Sequence, residues 1–274
     1  MPEAARKQAA KELVLALWAT LGLSLFCNRE FCDMVTSTTD ANGTTHFFPV
    51  YLNGASIGDA MAFLPAGITA AESVPTLVYF HGHNSVANLP AYLRSNPSTR
   101  DLRPLLSGKR VALIQPWGGH HSAFGRFQTG PGLTALIESG LRVLIEYATP
   151  SRPCPVQVPN PPAVILAAHS GGGEALRAAA KSSSTYLPLV EQVWAFDCMY
   201  SGEGDEWIRW CRANSSKRFR VRASTHQWSR KPRAEAEKIL AATRHRTHPL
   251  QNADVEVVNL AHDSFPRTFI PAFL

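Results

Sequence analysis

The stretch at 163–182 reads AVILAAHSGGGEALRAAAKS and constrains the fold more than any other part of the chain. Aliphatic and β-branched residues fill 163–168, and from Gly173 onward an Ala-rich run has helical character. Between them, His169-Ser170-Gly171-Gly172 forms a turn with little room for side chains. A short apolar run that turns sharply into a helix is the βα unit of a parallel sheet. Such a turn lifts the Ser170 hydroxyl above the carboxyl edge of the sheet, with the helix N-terminus beneath it. The same pattern also fits an ordinary crossover or a phosphate-binding turn, so the flanking sequence has to decide.

The flanking sequence supplies an alternation of strands and helices. Residues 35–53 read as a strand pair around the turn Asp40-Ala41-Asn42-Gly43, and 60–64 as a third short strand stopped by Pro65. The apolar run TLVYF at 76–80 ends in His81-Gly82-His83-Asn84, and VALIQ at 111–115 ends in Pro116-Trp117-Gly118-Gly119. Residues 133–147 carry apolar side chains at helical spacing. Six prolines make 150–162 a surface loop. Further strands are expected at 164–168, 193–197, 218–223 and 255–259, a charged helix at 231–243, and a short closing helix or tail from His262. This order predicts an α/β fold, with a mainly parallel central sheet covered by helices on both faces. Residues 35–274 read as one domain, preceded by an apolar N-terminal segment at 1–34. About twenty residues separate 197 from 218, too few for a helical lid domain. The site is therefore expected to be open, with Glu203, Asp205 and Glu206 on a Gly-rich loop.

Charge, cysteines and the N-terminus bound the remaining function classes. Residues 13–27, LVLALWATLGLSLFC, are uncharged and follow Arg6, Lys7 and Lys11. That length suits a signal core better than a membrane span, which needs about twenty apolar residues. Glu12 abuts the run and no Ala-x-Ala site follows, which favours a packed N-terminal helix and a cytoplasmic protein over export. Five cysteines with no Cys-x-x-Cys spacing give no support for a structural zinc site or a thioredoxin-like motif. The formal net charge of +6 is uneven: twelve Lys and Arg lie between Trp207 and Leu250, opposed only by Glu235 and Glu237. Such a segment reads first as a solvated face. Interleaved with Trp207, Trp210 and Trp228, it also suits a polyanion. Nucleic acid is not the expected partner.

A serine hydroxyl is a weak nucleophile, and needs a base, a group that orients the base, and donors for the oxyanion. The strand–turn–helix at Ser170 is the nucleophile elbow, with Ala168 in place of the first glycine of the usual Gly-x-Ser-x-Gly. Together with His81-Gly82 at the end of TLVYF and His262 just past the last strand, it makes the chain resemble the α/β-hydrolase superfamily from about Thr44 to the C-terminus. The resemblance implies Ser170 as nucleophile, His262 as base, and the backbone N–H groups of Gly171 and His83 as the oxyanion hole. It also implies a carboxylate after the strand before the last, but 218–223 is followed by Ser224-Thr225-His226-Gln227. Asp197, at the end of the preceding strand, occupies an alternative location used in this fold. The 203–206 carboxylates remain a second choice, and Asp263 adjoins His262 too closely in sequence to orient it.

His81, Asn84, Trp117, His120, His121 and His169 are candidates for the substrate cleft, with His169 packing beside the elbow. His81, His83, His120 and His121 also suggest a metal, but no carboxylate accompanies them, and neither a metal nor a cofactor is expected. The resemblance implies a serine hydrolase cleaving a carboxylic ester through an acyl-enzyme, acting on a small-molecule or peptide-like acyl substrate. A peptidase or amidase on the same scaffold, or a non-catalytic binding protein using 207–250, are the alternatives. Nothing in the sequence bears on oligomeric state.

Overall fold

The computed structural model describes residues 34–69, 72–147, 160–200 and 202–274. The expected N-terminal helix or signal core at 13–27, three of the five cysteines and most of the proline-rich loop lie outside these residues.

Among the described residues, nine strands form one sheet in the order β1-β2-β3-β5-β4-β6-β7-β8-β9. The antiparallel start comprises β1 (Thr36–Asp40), β2 (Gly43–Leu52) and β3 (Ala55–Pro65). β3 runs longer than the predicted 60–64 and pairs antiparallel with β5 (Ala112–Pro116). From β5 the sheet is parallel through β4 (Thr76–Phe80), β6 (Val164–His169), β7 (Val190–Phe196), β8 (Arg218–Ser224) and β9 (Ala253–Val258).

The apolar runs are continuous because both faces of the sheet are covered. Val78, Phe80, Leu166, Ala168, Val193 and Val221 join one buried cluster, while Leu77, Tyr79, Ile165, Ala167, Trp194 and Phe196 join the other. Successive residues point to opposite faces, so each strand feeds two cores. Three short helices, α1 (Leu89–Ser95), α2 (Pro97–Arg100) and α3 (Arg103–Leu106), follow β4. α1 starts where Asn88 accepts a hydrogen bond from the Ala91 N–H, with Pro90 in its first turn. The long crossover helix α4 (Gly130–Glu146) starts in the same way at Thr129, with Pro131 in the first turn.

Helix α5 (Gly173–Ala180) follows the Ser170 turn and ends before the expected 182. Helix α6 (Glu203–Ala213) occupies the segment expected to begin as a loop. Gly202 enters it with φ of 65°, and Glu203, Asp205 and Glu206 form its first turn, where negative charge suits the helix dipole. The glycines at 202 and 204 masked this helix in the sequence. α7 (Arg230–Thr243) and α8 (Phe265–Phe273) complete the layers. Among the described residues, no helix is long and apolar enough to cross a membrane.

The basic segment does not form the interleaved surface that its sequence suggested. Trp207 and Trp210 are buried, and the Trp207 ring stacks on Phe219 at 4.4 Å. Arg220 and Arg222 lie over the Phe273 ring of α8 at 4.4 and 4.8 Å, and Arg222 pairs with Asp254 and Glu256 of β9. Only Trp228, 84% exposed, faces solvent. Trp207→Ala is therefore expected to destabilise the fold by about 3–5 kcal/mol in urea denaturation; a change within about 0.5 kcal/mol would contradict its place in the core.

Candidate active site

β4 leads towards β5 on one side, and β6 leads towards β7 on the other. The chain therefore reverses its direction of travel across the sheet between β4 and β6. Open α/β sheets offer a crevice for ligands outside the carboxyl ends at such a point. The residues after these two strands are His81-Gly82 and Ser170.

Ser170 has φ of 52° and Asp197 has φ of 45°. Non-glycine residues in this left-handed region cost about 1–2 kcal/mol each and concentrate at functional turns. Ser170 begins a single 3₁₀ turn that leads into α5. A Cβ on Gly82 would lie 2.7 Å from the Ser170 Cβ, so the backbone after β4 approaches the serine as only glycine allows. A Cβ on Gly171 would collide with the His83 ring, which places that imidazole against the residue after the serine. Ser170, Gly171, Gly82 and His83 thus share one small region. The Ser170 hydroxyl lies 3.3 Å from the Tyr200 hydroxyl and forms no hydrogen bond with His262. Tyr200 in turn donates to the Asp197 carbonyl at 3.4 Å, which leaves its oxygen to accept from Ser170.

The Asp197 side chain is buried. Its Oδ2 accepts a hydrogen bond from His262 Nδ1 at 2.5 Å and a very short one from the Ser229 hydroxyl. Its Oδ1 accepts from the Ser224 N–H at 3.1 Å. Burial alone would push the carboxyl pKa up, but the hydrogen bonds from His262, Ser229 and Ser224 outweigh it and hold the group below its ordinary value. The carboxylate is therefore charged at neutral pH. Its partner His262 starts a 3₁₀ turn after β9 and is partly exposed.

Two of the expected cleft residues are buried instead. His81 has no exposed surface: its ring stacks on Trp117 at 4.9 Å and packs on Tyr92 and Phe124. Its Nδ1 donates to the Gly82 carbonyl and its Nε2 accepts from the Gly118 N–H, so it braces two strand-end loops. His169 is buried against the His262 ring at 4.5 Å, and its Nε2 donates to the His262 carbonyl. Asn84 uses its side chain to tie the loop after β4 to Gly119 and to the Val86 N–H. His120 and His121 are exposed, and His121 lies edge-on to His83 with ring centres 6.2 Å apart. The carboxylate that meets His262 is Asp197 rather than one of 203–206; Glu206 binds Arg177 and Lys181.

Among the described residues, His169, His262 and Asp263 place ligating atoms within 4.8 Å of one another. Both histidines already hold hydrogen bonds within the site. Ser229 and Tyr200 had no signal in the sequence, since isolated hydroxyls carry no spacing pattern.

Comparison with known proteins bears on the fold. No family model matches the sequence, and no curated protein matches it. Solved structures do match. A ferulic acid esterase aligns at a TM-score of 0.55 with 12% identity, covering 86% of this chain and 97% of its own. A cold-adapted esterase from an Arctic intertidal metagenomic library aligns at 0.53 with 12% identity, covering 87% and 96%. The fluorophosphonate-binding serine hydrolase F of Staphylococcus aureus aligns at 0.52 with 14% identity, covering 84% and 96%. The chain has the α/β-hydrolase fold. Within that fold, Ser170, Asp197 and His262 all follow strand ends on one edge of the sheet.

The buried imidazoles set the acid limit of stability. Burial pushes His46 and His81 down to about 4, and burial together with the neighbouring His262 pushes His169 down to about 3. All three are neutral when folded at pH 6, whereas the unfolded chain takes up their protons below about pH 6.5. Stability is therefore lost as pH falls from 6.5 towards 4. Glu203 runs the other way, because burial pushes it up to about 7 and it takes up a proton in the folded state. The balance of about one to two protons predicts a loss of roughly 1–3 kcal/mol per pH unit in this window. Urea titrations at pH 7, 6 and 5 check this, and a midpoint that stays constant would contradict it.

Proposed function

We propose that this protein is a serine hydrolase that cleaves a carboxylic ester through an acyl-enzyme. The observation that carries the reading is the 2.5 Å hydrogen bond from His262 Nδ1 to a buried Asp197, on the same sheet edge as a serine held at φ of 52°. The esterases and the serine hydrolase that share the fold support it.

In this reaction Ser170 rotates from Tyr200 towards His262, and its Oγ attacks the ester carbonyl carbon. The hydroxyl proton passes to His262 Nε2, while Asp197 stabilises the imidazolium that forms. The N–H groups of Gly171 and His83 receive the negative oxygen of the tetrahedral intermediate. His262 then gives the proton to the departing alcohol as the C–O bond breaks. Water, activated by the same histidine, splits the acyl-serine and restores the hydroxyl.

A fluorophosphonate probe tests the nucleophile. The native protein is expected to label at Ser170 and Ser170→Ala to stay unlabelled; a folded native protein that resists the probe would sink the reading. Asp197→Asn is expected to cut kcat by about ten thousandfold, by analogy with the loss of the orienting carboxylate in other serine hydrolases. Tyr200→Phe removes the resting partner of Ser170, worth about two- to tenfold, and is expected to accelerate labelling by that factor. An unchanged or slower labelling rate would show that Tyr200 does not hold the serine back.

A further inference from the structure

Ser229 stands 32 residues from Asp197 in sequence, and its side chain is buried against it. It occupies the residue before helix α7, where serine ordinarily accepts a hydrogen bond from the N–H two or three residues on. That bond is absent, and the helix begins without a side-chain cap. The hydroxyl donates instead to Asp197 Oδ2, the same oxygen that receives His262 Nδ1. The Ser224 N–H, at the end of β8, fixes the other oxygen. The carboxylate is thereby held at both oxygens from a strand end and from a helix start.

We propose that Ser229 is a positioning residue of the active site, which fixes the rotation of the Asp197 carboxylate so that Oδ2 faces His262. Two donors on Oδ2 and one on Oδ1 leave a single orientation in which all three bonds are made. Removing the Ser229 hydroxyl leaves Oδ2 with His262 alone, at a carboxylate that is itself buried. Other titratable groups near the carboxylate are His169, at the end of β6 beside Ser170, and Tyr200 and Cys198 on its own loop. None of these donates to either carboxylate oxygen. The residue does not touch the reacting atoms; its effect runs through Asp197 and His262.

This inference rests on the ester-hydrolase reading, and the experiment separates the two. Wild-type protein is first labelled with a fluorophosphonate and assayed on p-nitrophenyl esters. Failure at that stage, in folded protein, overturns the reading and the inference with it. With an active wild type, Ser229→Ala is expected to lower kcat roughly ten- to a hundredfold, the worth of a hydrogen bond to a charged acceptor, with KM within twofold. Ser229→Thr keeps the hydroxyl and is expected to recover most of the rate. The downfield proton resonance of His262 Nδ1, assigned by its loss in Asp197→Asn, is expected to shift in Ser229→Ala and to stay in place in Ser229→Thr. If the alanine variant fails to fold, Ser229→Gly, tolerated at a helix start, carries the same expectation. A folded alanine or glycine variant with kcat within twofold of wild type and an unmoved resonance would overturn the role of Ser229 while leaving the hydrolase reading intact.

Discussion

A buried carboxylate with too few hydrogen bonds is one of the more expensive features a fold can carry. Asp197 would be such a group without its partners, and the edge of the sheet beyond β7 supplies them. Its three donors come from the end of β8, the start of α7 and the turn after β9. Each belongs to a different element, so the carboxylate fixes how those elements meet. The backbone follows the same demand: Asp197 takes φ of 45°, and its own N–H donates to the Arg222 carbonyl at 2.7 Å. Local strain at one residue is offset by bonds to three others.

The same burial shapes the histidines. His169 lies with its ring centre 4.5 Å from that of His262, and burial with the nearby His262 pushes it down to about 3. A neutral neighbour matters here, because a second positive charge would oppose an imidazolium at His262. The Nε2 of His169 donates to the His262 carbonyl, which holds the turn after β9 while leaving the His262 ring to Asp197. His81 performs the parallel task on the other side of the crevice, joining the Gly82 carbonyl to the Gly118 N–H. Buried imidazoles brace the loops on both sides of Ser170, and the partly exposed one is the imidazole that meets Asp197.

The strands and their order were largely legible in the sequence because apolar runs ended in turn residues, as at His81-Gly82, Pro116 and His169-Ser170. The positions of Ser170, Asp197 and His262 could be read from those ends, since a parallel sheet brings every such end to one edge. What the sequence concealed falls into two kinds. Burial was one: His81 looked like a cleft residue, and Trp207 and Trp210 like surface aromatics, because a pattern of residue types does not say which ring a neighbour covers. Long-range single contacts were the other. Ser229 meets Asp197 across 32 residues and Tyr200 meets Ser170 across 30, with no periodicity to announce either. The helix from Glu203 was hidden by two glycines, one of which adopts the left-handed conformation that starts it.

The resting arrangement also bears on how the proposed nucleophile would be held before substrate arrives. The Ser170 hydroxyl bonds to Tyr200 at 3.3 Å, and Tyr200 is itself tied to the Asp197 carbonyl. Burial pushes the phenol up to about 12, so it stays neutral at physiological pH and offers the serine a weak partner only. A neutral hydrogen bond of that kind is worth about 1 kcal/mol in net terms. In the proposed reaction the bond with His262 gains strength as substrate displaces water, because the imidazole and carboxylate then act in a lower dielectric. A preference of about 1 kcal/mol for Tyr200 is small enough for that gain to reverse. In that reaction the serine would turn to the base when the site is filled, without a covering domain to delay it.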